Sequence, residues 1–527
     1  MSGSGKAKSG RGISRRGFLG AGVALGVGAG GVALGGAKLL GTVPPGRLLA
    51  SKRPLPAAFQ QPLKLPPVLA PTRTDATTDY YEITQKAAEL DILPGARTTA
   101  WTYGGTFPGP TIVSKSGRRT VVRHTNELPR PVVVHLHGGH TPHDADGYPG
   151  DEILPAGGKP TMVMGGHPMP GKPVMGRRDY AYPMNQRAAT LWYHDHRMGF
   201  TGASVWRGLA GFHLVHDDEE ERLPLPRGDR DLPLMIADRS FDADGSFLYP
   251  SIDRTLEHMP GVHATHMNGV LGDVILVNGV PWPVHRVERL RYRLRLLNAS
   301  NARNYRIALD PPPPGGKGMV QIGSDGGLLA APIAHEGLDV APAERFDVVV
   351  DFARYRPGTR VRLVNLLGSG RTREIMAFDV ASSGRTPRDD SAVPARLSRV
   401  RVLDPAKAAV RRTFVLQQKS GRWRINGHEY EPGRPLARPK LGRLELWRFV
   451  TDFHHPIHLH LDAFQVVSRN GHGLGPSDHG WKDTMDLRPA EAAEVAVRFT
   501  DYAGNFVFHC HNLEHEDMAM MADFATE

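Results

Sequence analysis

A single cysteine in 527 residues excludes an intrachain disulfide framework, so packing or bound metal must hold the fold. Long amphipathic helical periodicity is nearly absent, which argues against a helical bundle. With 23% charged and 40% hydrophobic residues, the chain is neither a disordered polymer nor a membrane bundle. Carboxylates are missing from the first fifty residues, which carry Lys6, Lys8, Arg11, Arg15, Arg16, Lys38 and Arg47. Without those seven cations the formal charge of +11 falls to +4, too little to argue for nucleic acid as a partner. The length exceeds one ordinary core, and two to four domains are expected.

"SRRGFLGAGVALGVGAGGVALGGA" (Ser14 to Ala37) places paired arginines before a weakly apolar run. It resembles a bacterial twin-arginine export signal. Its length permits a membrane anchor, but eight glycines between Phe18 and Ala37 make a poor membrane helix. Residues 1–50 are read as this leader, which implies a periplasmic, cell-surface or secreted protein with no stable membrane insertion after export. "GVGAGG" within it spells a dinucleotide fingerprint, but no strand precedes it and the match is accidental. Residues 51–79 are proline-rich and read as an extended arm.

From Tyr80 onward, short runs such as "TVVRHT", "PVVVHLH", "TLWYHDH", "DVILVNG" and "EVAVRFT" alternate with Gly, Pro, Asn and Asp turns. That pattern predicts an all-β chain of sandwiches. A weak repeat underlies it: Leu276 to Leu309 is echoed by Arg424 to Leu461, and Thr111 to His137 has the same rhythm. Three β domains follow, over residues 80–220, 221–385 and 401–527. One linker falls in "DEEERLPLPRGD" and another in "ASSGRTPRDDSAVPARLSR", centred on residues 386–400. The first and third copies end in His-x-His where the middle one reads "NYRIAL", so the middle domain reads as a spacer without ligands.

Four tandem pairs carry the chemistry: His135 and His137, His194 and His196, His458 and His460, His509 and His511. Alternate residues of a strand point to one face, roughly 6.5–7 Å apart, so each pair can serve one metal or two neighbours. A lone pair is a weak signal, since paired histidines also serve as solvent-facing or structural groups. Four pairs, two in each flanking domain, point to a cluster of several borderline ions such as copper. If His509 and His511 face that cluster, Cys510 faces the other way. A thiolate, two imidazoles and a weak axial thioether form a blue-copper site. His515 and His455 supply the imidazoles and Met520 the thioether, with Met518 and Met521 as close competitors.

"TFPGPTI", "VHLHGGHTPHDADGYP", "LWYHDHRMG", "HPIHLHLDAF", "GWKDT" and "HCHNLEHEDMAMM" together resemble the multicopper oxidases, in particular the bacterial spore-coat laccase and bilirubin oxidase branch. The resemblance runs from about Tyr80 to the C-terminus. It implies three cupredoxin-like Greek-key β-sandwich domains and four copper ions per chain. His455, Cys510, His515 and Met520 would hold type 1, and His135 and His458 type 2. His137, His194 and His509 would hold one type 3 ion, and His196, His460 and His511 the other. Glu516 and Asp146 match carboxylates that relay protons and manage water at the cluster. Dioxygen is the implied acceptor.

The electron donor is open between phenols, aromatic amines or bilirubin-like pigments and reduced metal ions, Cu(I) or Mn(II). "TMVMGGHPMPGKPVMG" (Thr161 to Gly176) gathers Met162, Met164, Met169, Met175 and His167, and soft thioethers suit Cu(I). The plainer reading of the same loop, preferred over a metal port, is a surface loop with adaptable methionines. Asp483 and Met485 of "WKDTM" are candidates for the type 1 edge. A two-copper nitrite reductase would not need four His-x-His pairs, and a non-catalytic cupredoxin-like scaffold would have lost ligands.

Overall fold

The computed structural model describes residues 44–162, 168–382 and 388–527. The twin-arginine stretch, Met164 and His167, and part of the second linker lie outside them. Each of three β-sandwiches is built from two facing sheets. In the first, Arg177–Tyr182, Arg119–Asn126, Thr78–Leu90 and Arg73–Thr74 form one sheet, with Thr98–Tyr103 also paired to Thr78–Leu90. The facing sheet orders Gly109–Lys115, Ala210–His216, Ala189–Asp195 and Val134–His137. Arg119–Asn126 alternates buried and less buried positions, as a strand with one face on a core must.

The second sandwich packs a seven-stranded sheet, centred on Asp231–Arg239, Arg291–Asn298 and Arg345–Asp351, on a five-stranded one. Its core gathers Leu234, Ile275, Leu294, Val348, Leu363 and Phe378. The third sets Arg422–Ile425, Val410–Lys419, Leu444–Thr451, Ala492–Arg498 and Gln465–Arg469 against Thr484–Met485, Ile457–Leu459, Gly504–Cys510 and Met521–Thr526. All three share one parallel pairing at the same place in a largely antiparallel sheet: Thr78–Leu90 on Arg119–Asn126, Asp231–Arg239 on Arg291–Asn298, and Val410–Lys419 on Leu444–Thr451. The first two sandwiches add a second, Gly109–Lys115 on Ala210–His216 and Val284–Val287 on Glu374–Val380. The crossover shared by all three is the structural form of the weak sequence repeat, and it fits Greek-key connections.

Two sequence boundaries shift. Arg47–Leu49, assigned to the leader, pair in parallel with Val270–Gly272 of the second sandwich, so folded chain begins before residue 50. The expected arm bridges Val284 through Pro62 and Thr111 through Val68, touching the second sandwich and then the first. The first linker is not loose either. Asp217 caps the short helix Asp218–Glu221 by accepting from Glu220 N, and this sets Glu220 into a buried cluster. Glu220 accepts from His216 Nδ1 at 2.7 Å, from Arg295 Nη2 at 3.2 Å and from Arg293 Nη1.

Burial alone raises the Glu220 pKa, but the Arg293 charge, the His216 hydrogen bond and the Arg295 charge together hold it far below the ordinary carboxylate range. Its stabilisation is therefore complete above the unfolded value of about 4.3 and is lost as pH falls through the folded one. Glu220→Ala is expected to cost about 3–5 kcal/mol, because it strands buried guanidinium charge. Asp218→Ala, in a solvent-screened exposed pair with Lys115 at 2.9 Å, should shift stability far less. Denaturant midpoints of both variants check the contrast, and equal shifts would refute it.

Candidate metal centre

Strand register assembles the histidines. Val134–His137 runs antiparallel to Ala189–Asp195 and sets His135 opposite His194. Ile457–Leu459 runs antiparallel to Gly504–Cys510 and sets His458 opposite His509, with Ile457 opposite Cys510. The first and third sandwiches then bring these ladders together, and all eight rings are buried. His137 stacks on His458 at 3.6 Å between ring centroids, and His135 on His460 at 3.9 Å.

One nitrogen of most rings is held by an acceptor. His135 Nδ1 donates to the Asp146 carbonyl, His458 Nδ1 to the Asp483 carbonyl at 2.9 Å and His194 Nδ1 to the Asp195 carbonyl at 2.8 Å. His460 Nδ1 donates to the Asp146 carboxylate at 2.8 Å and His509 Nδ1 to the Cys510 carbonyl at 3.2 Å. A carbonyl only accepts, so these protons sit on Nδ1 and the Nε2 lone pairs point inward. His135 Nε2 then faces His458 Nε2 at 3.3 Å, and His509 Nε2 faces His196 Nε2 at 3.2 Å and His460 Nε2 at 3.4 Å.

Burial holds His135, His137, His458, His460 and His511 well below the usual imidazole pKa, and His194 at about 3. Unprotonated rings have no hydrogen to share across these gaps. Facing lone pairs repel unless a cation lies between them, and metal–nitrogen bonds of roughly 2 Å fit such separations.

Donor atoms within 4.8 Å of one another define the groups: His135, His137 and His458; His137, His194 and His511; His196, His460 and His509. The expected type 3 partition is thereby corrected. His511 joins His137 and His194, and His509 joins His196 and His460, because the approach of the two sandwiches decides which ring of the last pair meets which partner.

Cys510 lies on the other face of its strand with His455 and His515. Its Sγ is 3.4 Å from His455 Nδ1 and 3.5 Å from His515 Nδ1, which are 3.1 Å apart. Burial pushes the thiol well above its ordinary pKa, so a thiolate here requires a neighbouring cation. Met520 shares the apolar cluster around Cys510. Met521 packs instead with Tyr148, Tyr430 and Val507, and Met518 is only partly buried at the edge of the Cys510 cluster, its side chain against Gly261. Trp423, which no sequence signal singled out, covers the His515 ring at 3.8 Å.

Burial raises the Asp146 carboxyl to about 7. Glu516 sets Oε2 3.1 Å from His509 Nδ1 and Oε1 3.8 Å from His196 Nδ1. Asp483 does not edge the Cys510 group; its Oδ1 lies 3.1 Å from His137 Nε2. Met485 packs with Cys510 in the third core. Of the methionine-rich loop, Met169 is core, whereas Met162 and Met175 are 52% and 56% exposed. A cavity of about 310 Å³ opens beside His135, His458 and His460, giving a small molecule a path to the rings.

Two sets of inward lone pairs, one thiol-centred and one all-imidazole, fit copper. Multicopper oxidase family models match residues 84–220 and 403–527. A laccase of Bacillus stratosphericus is 37% identical, over 88% of this chain and 98% of its own. A bilirubin oxidase of Albifimbria verrucaria is 34% identical over 88% and 81% respectively. The crystal structure of a laccase from Pediococcus acidilactici aligns with a TM-score of 0.77 at 31% identity, covering 91% of this chain and 96% of that one. The chain belongs to the multicopper oxidase family. Within that family it is a laccase-like, copper-dependent oxidoreductase that uses dioxygen as acceptor.

Copper at a hundred times its dissociation constant should add about 2.7 kcal/mol for each site it fills to the stability of the metal-free chain. Calorimetry of the stripped and reloaded protein checks this. Identical unfolding midpoints would mean that the facing nitrogens do not require an ion.

Proposed function

We propose that the chain oxidises phenols, aromatic amines or bilirubin-like pigments one electron at a time and reduces dioxygen to water, with four coppers distributed over the residues above. His455, Cys510, His515 and Met520 would hold type 1, and His135 and His458 type 2. His137, His194 and His511 would hold one type 3 ion, and His196, His460 and His509 the other. When bound, the coppers supply single-electron acceptance and the pooling of four electrons for dioxygen.

The observation that carries this reading is the opposed placement on Gly504–Cys510, with Cys510 in one donor set and His509 and His511 in the other. Two peptide units therefore join a thiol site to the imidazole cluster. The pinned Nδ1 atoms hold the rings in place, and the apolar third core excludes water from Cys510. Asp146 and Glu516, each touching ring nitrogens of the cluster, are placed to pass protons toward developing water. The twin-arginine leader and an exported location belong to the same reading. Among the described residues, no helix is long and apolar enough to cross a membrane.

Cys510→Ser is expected to abolish blue absorption and reduce turnover to background while the imidazole cluster keeps its copper; a blue variant would refute the role of Cys510. Exposed Met162 and Met175 favour Cu(I) as an alternative donor. Turnover of a substituted phenol and of Cu(I) should therefore be compared before and after Met162→Leu and Met175→Leu. Phenol oxidation is expected to stay within about twofold. Cu(I) turnover that dominates and collapses in the variants would transfer the assignment to a metallo-oxidase.

A further inference from the structure

The middle sandwich carries no histidine pair, yet one of its side chains holds a carboxylate that touches the imidazole cluster. Arg345 opens the strand Arg345–Asp351 and is fully buried. Its five N–H groups all find acceptors. Nε donates to the Thr190 carbonyl at 3.0 Å, in the first sandwich, and Nη1 to the Ala343 carbonyl at 3.0 Å. Nη2 donates to the Asp325 carbonyl at 3.3 Å. The remaining two form a fork on Asp483 of the third sandwich, Nη1 on Oδ1 at 2.8 Å and Nη2 on Oδ2.

Asp483 meets two stacked rings through different atoms. Its Oδ1 lies 3.1 Å from His137 Nε2, and its main-chain oxygen accepts from His458 Nδ1 at 2.9 Å. Thr484 Oγ1 lies equally close to His137 Nε2, at 3.1 Å, so Asp483 together with this hydroxyl fixes opposite tautomers on neighbouring imidazoles, leaving Nδ1 of His137 and Nε2 of His458 as ligand atoms. His137 Nδ1 is buried and has no hydrogen-bond partner, as this requires. Thr484 Oγ1 donates to Asp483 Oδ1 at 2.9 Å, and Asp325 Oδ2 lies 3.3 Å from the Asp483 amide. Gly138, next to His137, leaves room for the fork: a Cβ there would sit 2.6 Å from Arg345 Nη2 and 2.8 Å from Asp483 Oδ2.

We infer that Arg345 is a positioning residue of the trinuclear centre, supplied by the middle domain, and that it acts by orienting Asp483 so that His137 and His458 present opposite ring nitrogens to the metal. This rests on the copper reading above. Carboxylates that orient ligating imidazoles typically contribute about 10–100-fold in metal affinity or activity. A lysine cannot reproduce a two-pronged guanidinium contact.

The test uses full-length, copper-loaded protein carrying Arg345→Gln, Arg345→Lys or Asp483→Asn, with blue absorption as the internal control. Arg345→Gln is expected to keep the blue absorption and the KM for a phenol. Its affinity for copper at the histidine cluster should fall by about 10–100-fold, with an altered type 2 electron paramagnetic resonance spectrum and a lower kcat. Arg345→Lys should recover only part of that loss. Arg345→Gln combined with Asp483→Asn should lie within about twofold of the worse single variant, because both break one link.

A wild-type type 2 spectrum and copper content in Arg345→Gln would overturn the inference. So would loss of blue absorption together with the cluster, which marks a general brace, or full recovery by lysine, which marks charge alone. If Arg345→Gln does not fold, Arg345→Lys and Asp483→Asn decide by the same readouts. A wild-type protein that takes up no copper would instead refute the functional reading itself.

Discussion

The structure depends on burying imidazoles with their lone pairs turned toward one another. Each ring loses water, and for His135, His137, His194, His458, His460 and His511 burial disfavours the second proton that could otherwise bridge two nitrogens. In His135, His194, His458 and His460 the outward nitrogen is tied to a carbonyl or carboxylate oxygen, so the inward one cannot turn away. What is left is mutual repulsion that only a cation relieves. The sandwiches, their registers and the linkers fix the rings in an arrangement that is unfavourable without metal and favourable with it.

Legibility in the sequence follows from the range of the interactions. His-x-His was readable because alternation along a strand is local, and so was the opposed face of Cys510. The strand-rich pattern and its weak threefold repeat were likewise local, and the parallel crossover common to the three sandwiches accounts for the repeat. The distribution of His509 and His511 was not readable. Both rings face the same way, and only the docking of distant ladders determines which meets His194 and which meets His196. Asp483 was placed at the wrong site for the same reason. It directly precedes Thr484–Met485, which pairs with Ile457–Leu459, but its side chain faces His137 of another domain.

Other residues carried no local signal. Arg345 stands in an ordinary strand, and its links to Thr190 and Asp483 join residues more than a hundred positions apart. Trp423 looks like any core tryptophan until His515 is seen beneath it. Met169 misled in the opposite direction, since a methionine-rich stretch does not reveal which thioether turns inward. The boundary at residue 50 failed because Arg47–Leu49 is recognisable as a strand only beside Val270–Gly272.

The cluster draws half its rings from segments before residue 200 and the other half from segments after residue 450. A chain still being synthesised therefore owns neither a complete cluster nor, until Cys510 and His515 have emerged, a thiol site. Tight copper retention becomes a late event that reports completion of the whole polypeptide. A truncated product lacking the last twenty residues would lose the thiol and an entire histidine pair at once.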